Sequence, residues 1–293
     1  MLSDRVSLGS LGPRQRQVLE AKRVTDRLGA RAWLELLVPL ARFDVAGDRS
    51  RAASRAWMIR GVVGAFLGIF VVAMSGGAAL AVPVPVTSLA LAIGAGLRYR
   101  KLRRLDLSNN LSRLAVPLLR VLDEETDRDS PVALDLDFRA ANIPEKLERT
   151  EHPPPVKGFF DITERHYRDP WMTGKAQLSI GARLEWAIVD EVVELKRKRR
   201  SASGKTKIKT KYRKRSLMTV GVSLTESEYA IGPGSGQAPD GQKVRLKSTD
   251  KRQTFKVAQV VKLSSLEPPP VASLLDLVAV AFRRATPVRP EAS

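Results

Sequence analysis

From Gly61 to Leu97 the chain runs for 37 residues without one charged side chain. No other feature restricts its fold as much. A single helix of that length would measure roughly 55 Å, whereas a hydrocarbon core is ~30 Å thick and needs about 20 residues per crossing. The stretch is therefore expected to form two short spans joined by a turn. Ser75-Gly76-Gly77 and Pro83-Val84-Pro85 are both candidate turns, and composition does not choose between them. A helical hairpin buried in a soluble core is the alternative, but it does not explain why basic residues crowd both ends. Trp57 and Tyr99 stand where interfacial aromatics would extend each span.

The flanks set an orientation. Arg49, Arg51, Arg55 and Arg60 precede the stretch, and Arg98, Arg100, Lys101, Arg103 and Arg104 come after it. The positive-inside rule then puts both ends on the cytoplasmic side of a bacterial-type plasma membrane, with the lipid bilayer as an integral partner. No ionisable residue lies within the spans, so an ion path or proton relay has no support. Gly61, Gly64 and Gly68, with Ala90, Gly94 and Gly96, would let two helices approach closely, within one chain or in a homo-oligomer.

Residues 13–43 read as helical, with Pro13 placed to start the helix and Pro39 to bend or break it. After the second span, Leu102, Leu105, Leu111, Leu114, Leu118 and Leu122 form one apolar stripe of a connecting amphipathic helix. Were that helix straight and normal to the membrane, it would hold the next domain roughly 35 Å from the headgroups. The expected layout is 1–56 helical segment, 57–99 transmembrane hairpin, 100–130 connecting helix and linker, 131–265 β-rich domain, and 266–293 a proline linker with a short apolar helix.

From residue 131 the pattern changes to alternation. PVALDLDF, VKGFFDITERHY, KAQLSI, RLEWAIVDEVVEL, SLMTVGVSL, QKVRLKS and TFKVAQVVKL are strand candidates separated by Gly, Pro, Asp and Ser. The fold class is thus α+β: a membrane hairpin with flanking helices plus a mainly antiparallel domain, a sandwich or partly open barrel. Asp169-Pro170-Trp171 reads as a turn anchored by Trp171, with Trp186 in the core.

The net charge is +19, and its location matters more than its size. Residues 196–215 hold twelve basic residues and no acid: Lys196, Arg197, Lys198, Arg199, Arg200, Lys205, Lys207, Lys209, Lys211, Arg213, Lys214 and Arg215. Ser201–Lys205 reads as the turn of a long hairpin whose apolar base sets Val189, Val193 and Leu195 against Met218, Val220 and Val222. Alternation puts Lys205, Lys207, Lys209, Lys211, Arg213 and Arg215 on one face, at about 6.6–6.8 Å intervals. Seven of the twelve are lysines, in a chain that elsewhere prefers arginine. Like charges on adjacent strands repel, so something must offset the cost. Lysine, a point charge, suits phosphate without fork geometry. The twelve residues are candidates for contact with a polyanion: a nucleic-acid backbone, anionic lipid headgroups or an acidic protein. A soluble edge hairpin in a structural membrane subunit is the other reading.

Catalytic sites fail inspection. SGKT at 203–206 has Arg199 where a phosphate loop needs glycine, and a strand pattern where it needs a helix. His152 and His166 are the only histidines and there is no cysteine. Acidic pairs such as Asp135/Asp137 and Asp190/Glu191 are separated by one or zero residues and have no partner constellation. No nucleophile, base and orienting group assemble, so no catalysis, cofactor or metal is expected.

Overall fold

The computed structural model describes residues 8–74, 83–156, 158–225, 229–231, 241–249, 252–263, 266–283 and 285–287. In chain order these form α1 (Pro13–Ala21), β1 (Arg23–Gly29), α2 (Ala30–Met74), α3 (Pro83–Arg104), α4 (Val116–Glu125), β2 (Pro131–Asp137), β3 (Leu147–Glu151), β4 (Asp161–Gln177), β5 (Arg183–Arg200), β6 (Thr206–Thr225), β7 (Tyr229–Ile231), β8 (Gln242–Thr249), β9 (Arg252–Leu263), α5 (Val271–Phe282) and β10 (Ala285–Pro287). The chain is α+β and divides into two compact units, one of residues 1–20 and 38–107, the other of 21–37 and 108–293.

Helix α2 runs 45 residues without a break at Pro39, and from Val38 onward it belongs to the first unit. Among the described residues it is the one helix long and apolar enough to cross a membrane. Its partner α3 has an uncharged part, Pro83–Leu97, of only about 22 Å. The two helices pack antiparallel through small residues. A Cβ on Gly61 would lie 2.7 Å from Ser88 O, and one on Gly68 would lie 2.9 Å from Pro85 Cδ. Gly64 likewise faces Ser88, whereas Gly94 has open space around it. The outward sides stay apolar and exposed, with Phe66, Leu67, Phe70, Met74, Val86 and Leu97 among the most exposed. Pro83–Pro85 begins α3 and is no turn; Ser75-Gly76-Gly77 lies outside the described residues. Below the apolar part, Arg51 joins Asp48 and Asp106 in an ion-paired cluster, at 2.7 Å from the latter.

The connecting helix is not straight. It stops at Arg104, and the chain resumes as a π-helical turn, Leu111–Ala115, leading into α4. The Asp44 carboxylate accepts the Leu107 N–H in that break, at 3.0 Å, satisfying a backbone group the helix no longer serves.

The second unit is one open antiparallel sheet, not a sandwich or barrel, with path β1-β2-β4-β5-β6-β9-β8 and β3 paired to the far half of β4. Residues 23–29, expected to be helical, form edge strand β1 against β2. Lys22 makes the change of direction at a φ of 51°, and its carbonyl accepts the Phe138 N–H at 2.8 Å. The expected turn at Asp169-Pro170-Trp171 is instead a β-bulge inside β4, which accommodates a proline that cannot donate to the ladder. β7 and β10 pair as a separate small sheet.

Register gives the sheet two unlike faces. Leu184, Trp186, Ile188, Met218, Val220, Val222, Phe255 and Val257 are buried on one. Helix α5 packs on β6 and β9, and Trp33 Nε1 donates to Val132 O at 2.8 Å. The other face, called the open face, carries mainly Lys, Arg, Glu and small residues, with Val193, Leu195, Leu217 and Val260 among them.

Candidate functional site

The expected hairpin is present: β5 and β6 pair from Arg183↔Ser223 to Arg200↔Thr206. Ser201–Lys205 closes it, with Ser201 N–H to Lys205 O at 2.9 Å and Gly204 at a φ of 74°, a conformation that favours glycine. Thr206 opens a strand, so SGKT heads no helix. The base differs from expectation. Ile188, Trp186 and Leu184 pair with Met218, Val220 and Val222, while Val193 and Leu195 pair with Arg213 and Lys211. The five-residue turn sets this register and sends the odd-numbered residues to the open face. Nor is the hairpin a free ribbon, because β4 flanks β5 as far as Lys198.

The twelve predicted cations separate into groups. Arg199, Lys207, Lys209, Lys211 and Arg213 are exposed on the open face, and no ion pair neutralises them among the described residues. Lys205 sits exposed in the turn. Arg215 shares the open face but is ion-paired with Glu191. Arg197 is half-buried, with its guanidinium 5.5 Å from the Phe159 ring centre. Lys196, Lys198 and Arg200 face the other way, level with Thr206, Ile208 and Thr210. Lys198 Nζ lies 2.6 Å from Asp161, holding that carboxyl below its usual range, and Arg200 lies over Phe160. Tyr212, on that same side, donates to Glu194 at 3.4 Å.

Lys214 belongs elsewhere. It is 7% exposed, with Nζ 2.8 Å from Asp190 Oδ2 and 3.4 Å from Leu266 O. Ser216 Oγ also donates to Asp190. Asp190 stands directly opposite Asp169, and Lys146 Nζ reaches Asp169 at 2.7 Å and Asp137 at 3.2 Å. Burial pushes Asp169 up to about 6, against the pull of Lys146. Arg139, hydrogen-bonded to Asp137, holds that carboxyl down at about 2 despite burial. Asp137 does have partners, Arg139 two residues on and Lys146 nine, and Asp190 finds Lys214 and Ser216 on the next strand. Three carboxylates and three cations close on one another with little solvent access, an arrangement that fixes strands and leaves no group free for substrate.

The open face also holds cations outside the predicted run. Lys243, Arg245 and Lys247 of β8, with Lys256 and Lys262 of β9, are exposed there. Like charges sit directly opposite one another at Arg199/Lys207, Arg197/Lys209, Arg215/Lys262 and Arg245/Lys256. Such pairs are destabilising in a sheet. The Lys-rich alternation of β8 is visible in the sequence, but its shared face with the hairpin depends on pairing through β9. Between β3 and β6 the face sinks into a hollow of about 670 Å³ lined by Arg149, His166, Glu191, Arg213, Arg215 and Lys262 among others.

Among the described residues, Glu151, Glu164 and His166 form the one set able to hold a metal ion, their ligand atoms within 4.8 Å of one another. Arg149 already pairs with Glu151 at 3.0 Å, and the cations nearby on the face oppose a further positive charge. No protein-family model, curated protein or solved structure matches the chain.

Proposed function

We propose that the chain is a membrane-anchored, non-catalytic module that binds a polyanion on the open face of its sheet. The observation that carries this reading is the row Arg199, Lys207, Lys209, Lys211 and Arg213: exposed, without ion pairs among the described residues, and with Lys207 set against Arg199 and Lys209 against Arg197. A ligand rich in phosphate or carboxylate offsets that repulsion, and self-repulsion favours its capture. The membrane part rests on α2 and on the apolar, outward-facing side chains of the α2–α3 pair. We read this pair as two crossings with both chain ends on the cytoplasmic side, α3 being extended across the interface by Tyr99 and its basic end.

Binding is tested with the full chain in neutral-lipid nanodiscs and fluorescent inorganic polyphosphate. Wild type binds with an affinity that falls steeply with salt. The K207S/K209S/K211S variant flattens the log–log salt slope by about 2, at ~0.7 per lost contact with a single-stranded polyanion. An unchanged slope and affinity would refute the hairpin as the binding element. Topology is read separately, since the native chain has no cysteine. With two crossings, A52C and E124C are both shielded from an impermeant thiol reagent outside sealed vesicles; with one, they label from opposite sides.

A further inference from the structure

The hairpin is only part of a longer cationic surface. Counting from the row that joins Ser223, Thr254 and Lys247 to the row that joins Lys207 and Arg199, β6 advances 16 residues, about 53 Å. Between the rows of Ser223 and Met218 four strands, β5, β6, β9 and β8, give a width of about 14 Å, and beyond Lys214 the strip narrows to β5 and β6. Ten exposed cations lie on this strip without an ion pair among the described residues: Arg199, Lys207, Lys209, Lys211 and Arg213 of the hairpin, Lys243, Arg245 and Lys247 of β8, and Lys256 and Lys262 of β9. Glu185 and Glu191 are the acids that register places on the strip, and Lys175 and Arg215 already hold them. Edge protection accounts for lysines on β8. It does not account for Lys256, which lies between Gly221 of β6 and Arg245 of β8, away from any edge.

We propose, building on the polyanion-binding reading above, that the ligand is a nucleic-acid duplex laid along this strip, its backbone gripped jointly by the hairpin and by Lys243, Arg245, Lys247, Lys256 and Lys262. The strip's length corresponds to about 16 base pairs at ~3.4 Å each. Single-stranded ligands are held largely by stacking on aromatic rings. Here Tyr212 lies on the opposite face and Phe159 and Phe160 lie under arginines. A bilayer surface takes up basic and apolar groups from one side. The exposed Ile208 and Tyr212 are instead on the face away from the cation row, and among the described residues Val260 is the one large apolar side chain exposed on the strip. Seven of the ten cations are lysines, point charges that grip phosphate without reading bases, so binding is blind to sequence.

The test uses the full chain in neutral-lipid nanodiscs and the fluorescence anisotropy of a labelled duplex of about 20 base pairs, slightly longer than the strip. Three variants each remove two charges: K207S/K209S on the hairpin, R245S/K247S on β8, and K196S/R200S on the opposite face. The first two each lower the salt slope by about 2, and weaken binding up to about 60-fold at about 0.1 M salt, from 0.9 per lost contact. The third stays within about threefold of wild type, and a duplex of scrambled sequence binds equally well. If R245S/K247S behaves like K196S/R200S while K207S/K209S weakens binding, the extended strip is overturned and hairpin binding of a polyanion survives. Tighter binding of the single strand than of the duplex overturns the duplex. So does capture of phosphatidylserine vesicles without capture of the duplex. Failure to bind duplex, vesicles and polyphosphate alike removes the polyanion-binding reading itself.

Discussion

Lys214 stands in the same basic run as Lys209, yet the two residues should respond to mutation in opposite ways. Replacing Lys214 by methionine keeps the length of the buried side chain and removes its charge. Asp190, 2% exposed and opposite Asp169, then loses the ammonium 2.8 Å away and keeps only Ser216 as a close partner. Breaking a buried pair on one side costs about 3–5 kcal/mol, because the remaining charge stays buried without compensation. For a unit of roughly 200 residues, 1 kcal/mol corresponds to about 2–4 °C in Tm, so K214M should melt roughly 6–20 °C lower. K209M, on the exposed face, should shift stability by no more than about 0.5 kcal/mol. Thermal unfolding in nanodiscs, tracked by the fluorescence of buried Trp171 and Trp186, provides the measurement. Adding D190L to K214M should recover most of the loss, since a buried pair replaced on both sides by apolar groups is close to neutral. A K214M protein melting within about 2 °C of K209M would refute the placement of Lys214 in a buried ion-pair network.

The packing supports three more expected outcomes. G174A should destabilise the sheet by about 1–3 kcal/mol, because its Cβ would lie 2.2 Å from Cζ2 of Trp186 on the next strand; urea unfolding reads the change. Asp169 has a folded-state value raised to about 6 from 3.8, so its protonated form favours folding. Its stabilising contribution is full below about 3.8 and lost as pH rises through about 6, on the order of 3 kcal/mol. D169N should remove that decline between pH 4 and 7, and an unchanged pH profile would contradict it. G61V should force α2 and α3 apart, because its Cβ would sit 2.9 Å from Ala92 Cβ; a lower aggregation temperature in detergent is the expected readout.

What the sequence disclosed was local. Alternating charges, a Ser-Ala-Ser-Gly-Lys turn and flanking β-branched residues were sufficient to locate β5 and β6 and the odd-numbered cation row. Partnerships across long separations were not legible. Lys256 meets Arg245 and Gly221 only through sheet pairing, and Asp190 finds Lys214 and Asp169 on the strands either side. Strand β1 was hidden because residues 23–29 lie between helical patterns; pairing with β2, more than 100 residues later, overrides a weak local preference. The leucine stripe after the second apolar stretch concealed the break at 105–110, where the side chain of Asp44 serves a backbone group. Absence of charge alone could not show that α2 extends to 45 residues while α3 stops at 22.

Two exposed apolar residues mark the two faces without altering a charge. Val260 is 48% exposed on the cationic strip, and Ile208 is 56% exposed on the opposite side of the hairpin. In a chain with no native cysteine, V260C and I208C can each be labelled alone by a thiol reagent, with and without saturating duplex. The predicted result is slowed labelling at position 260 and an unchanged rate at 208. Equal rates at 260 with and without ligand, or protection confined to 208, would contradict binding on the open face.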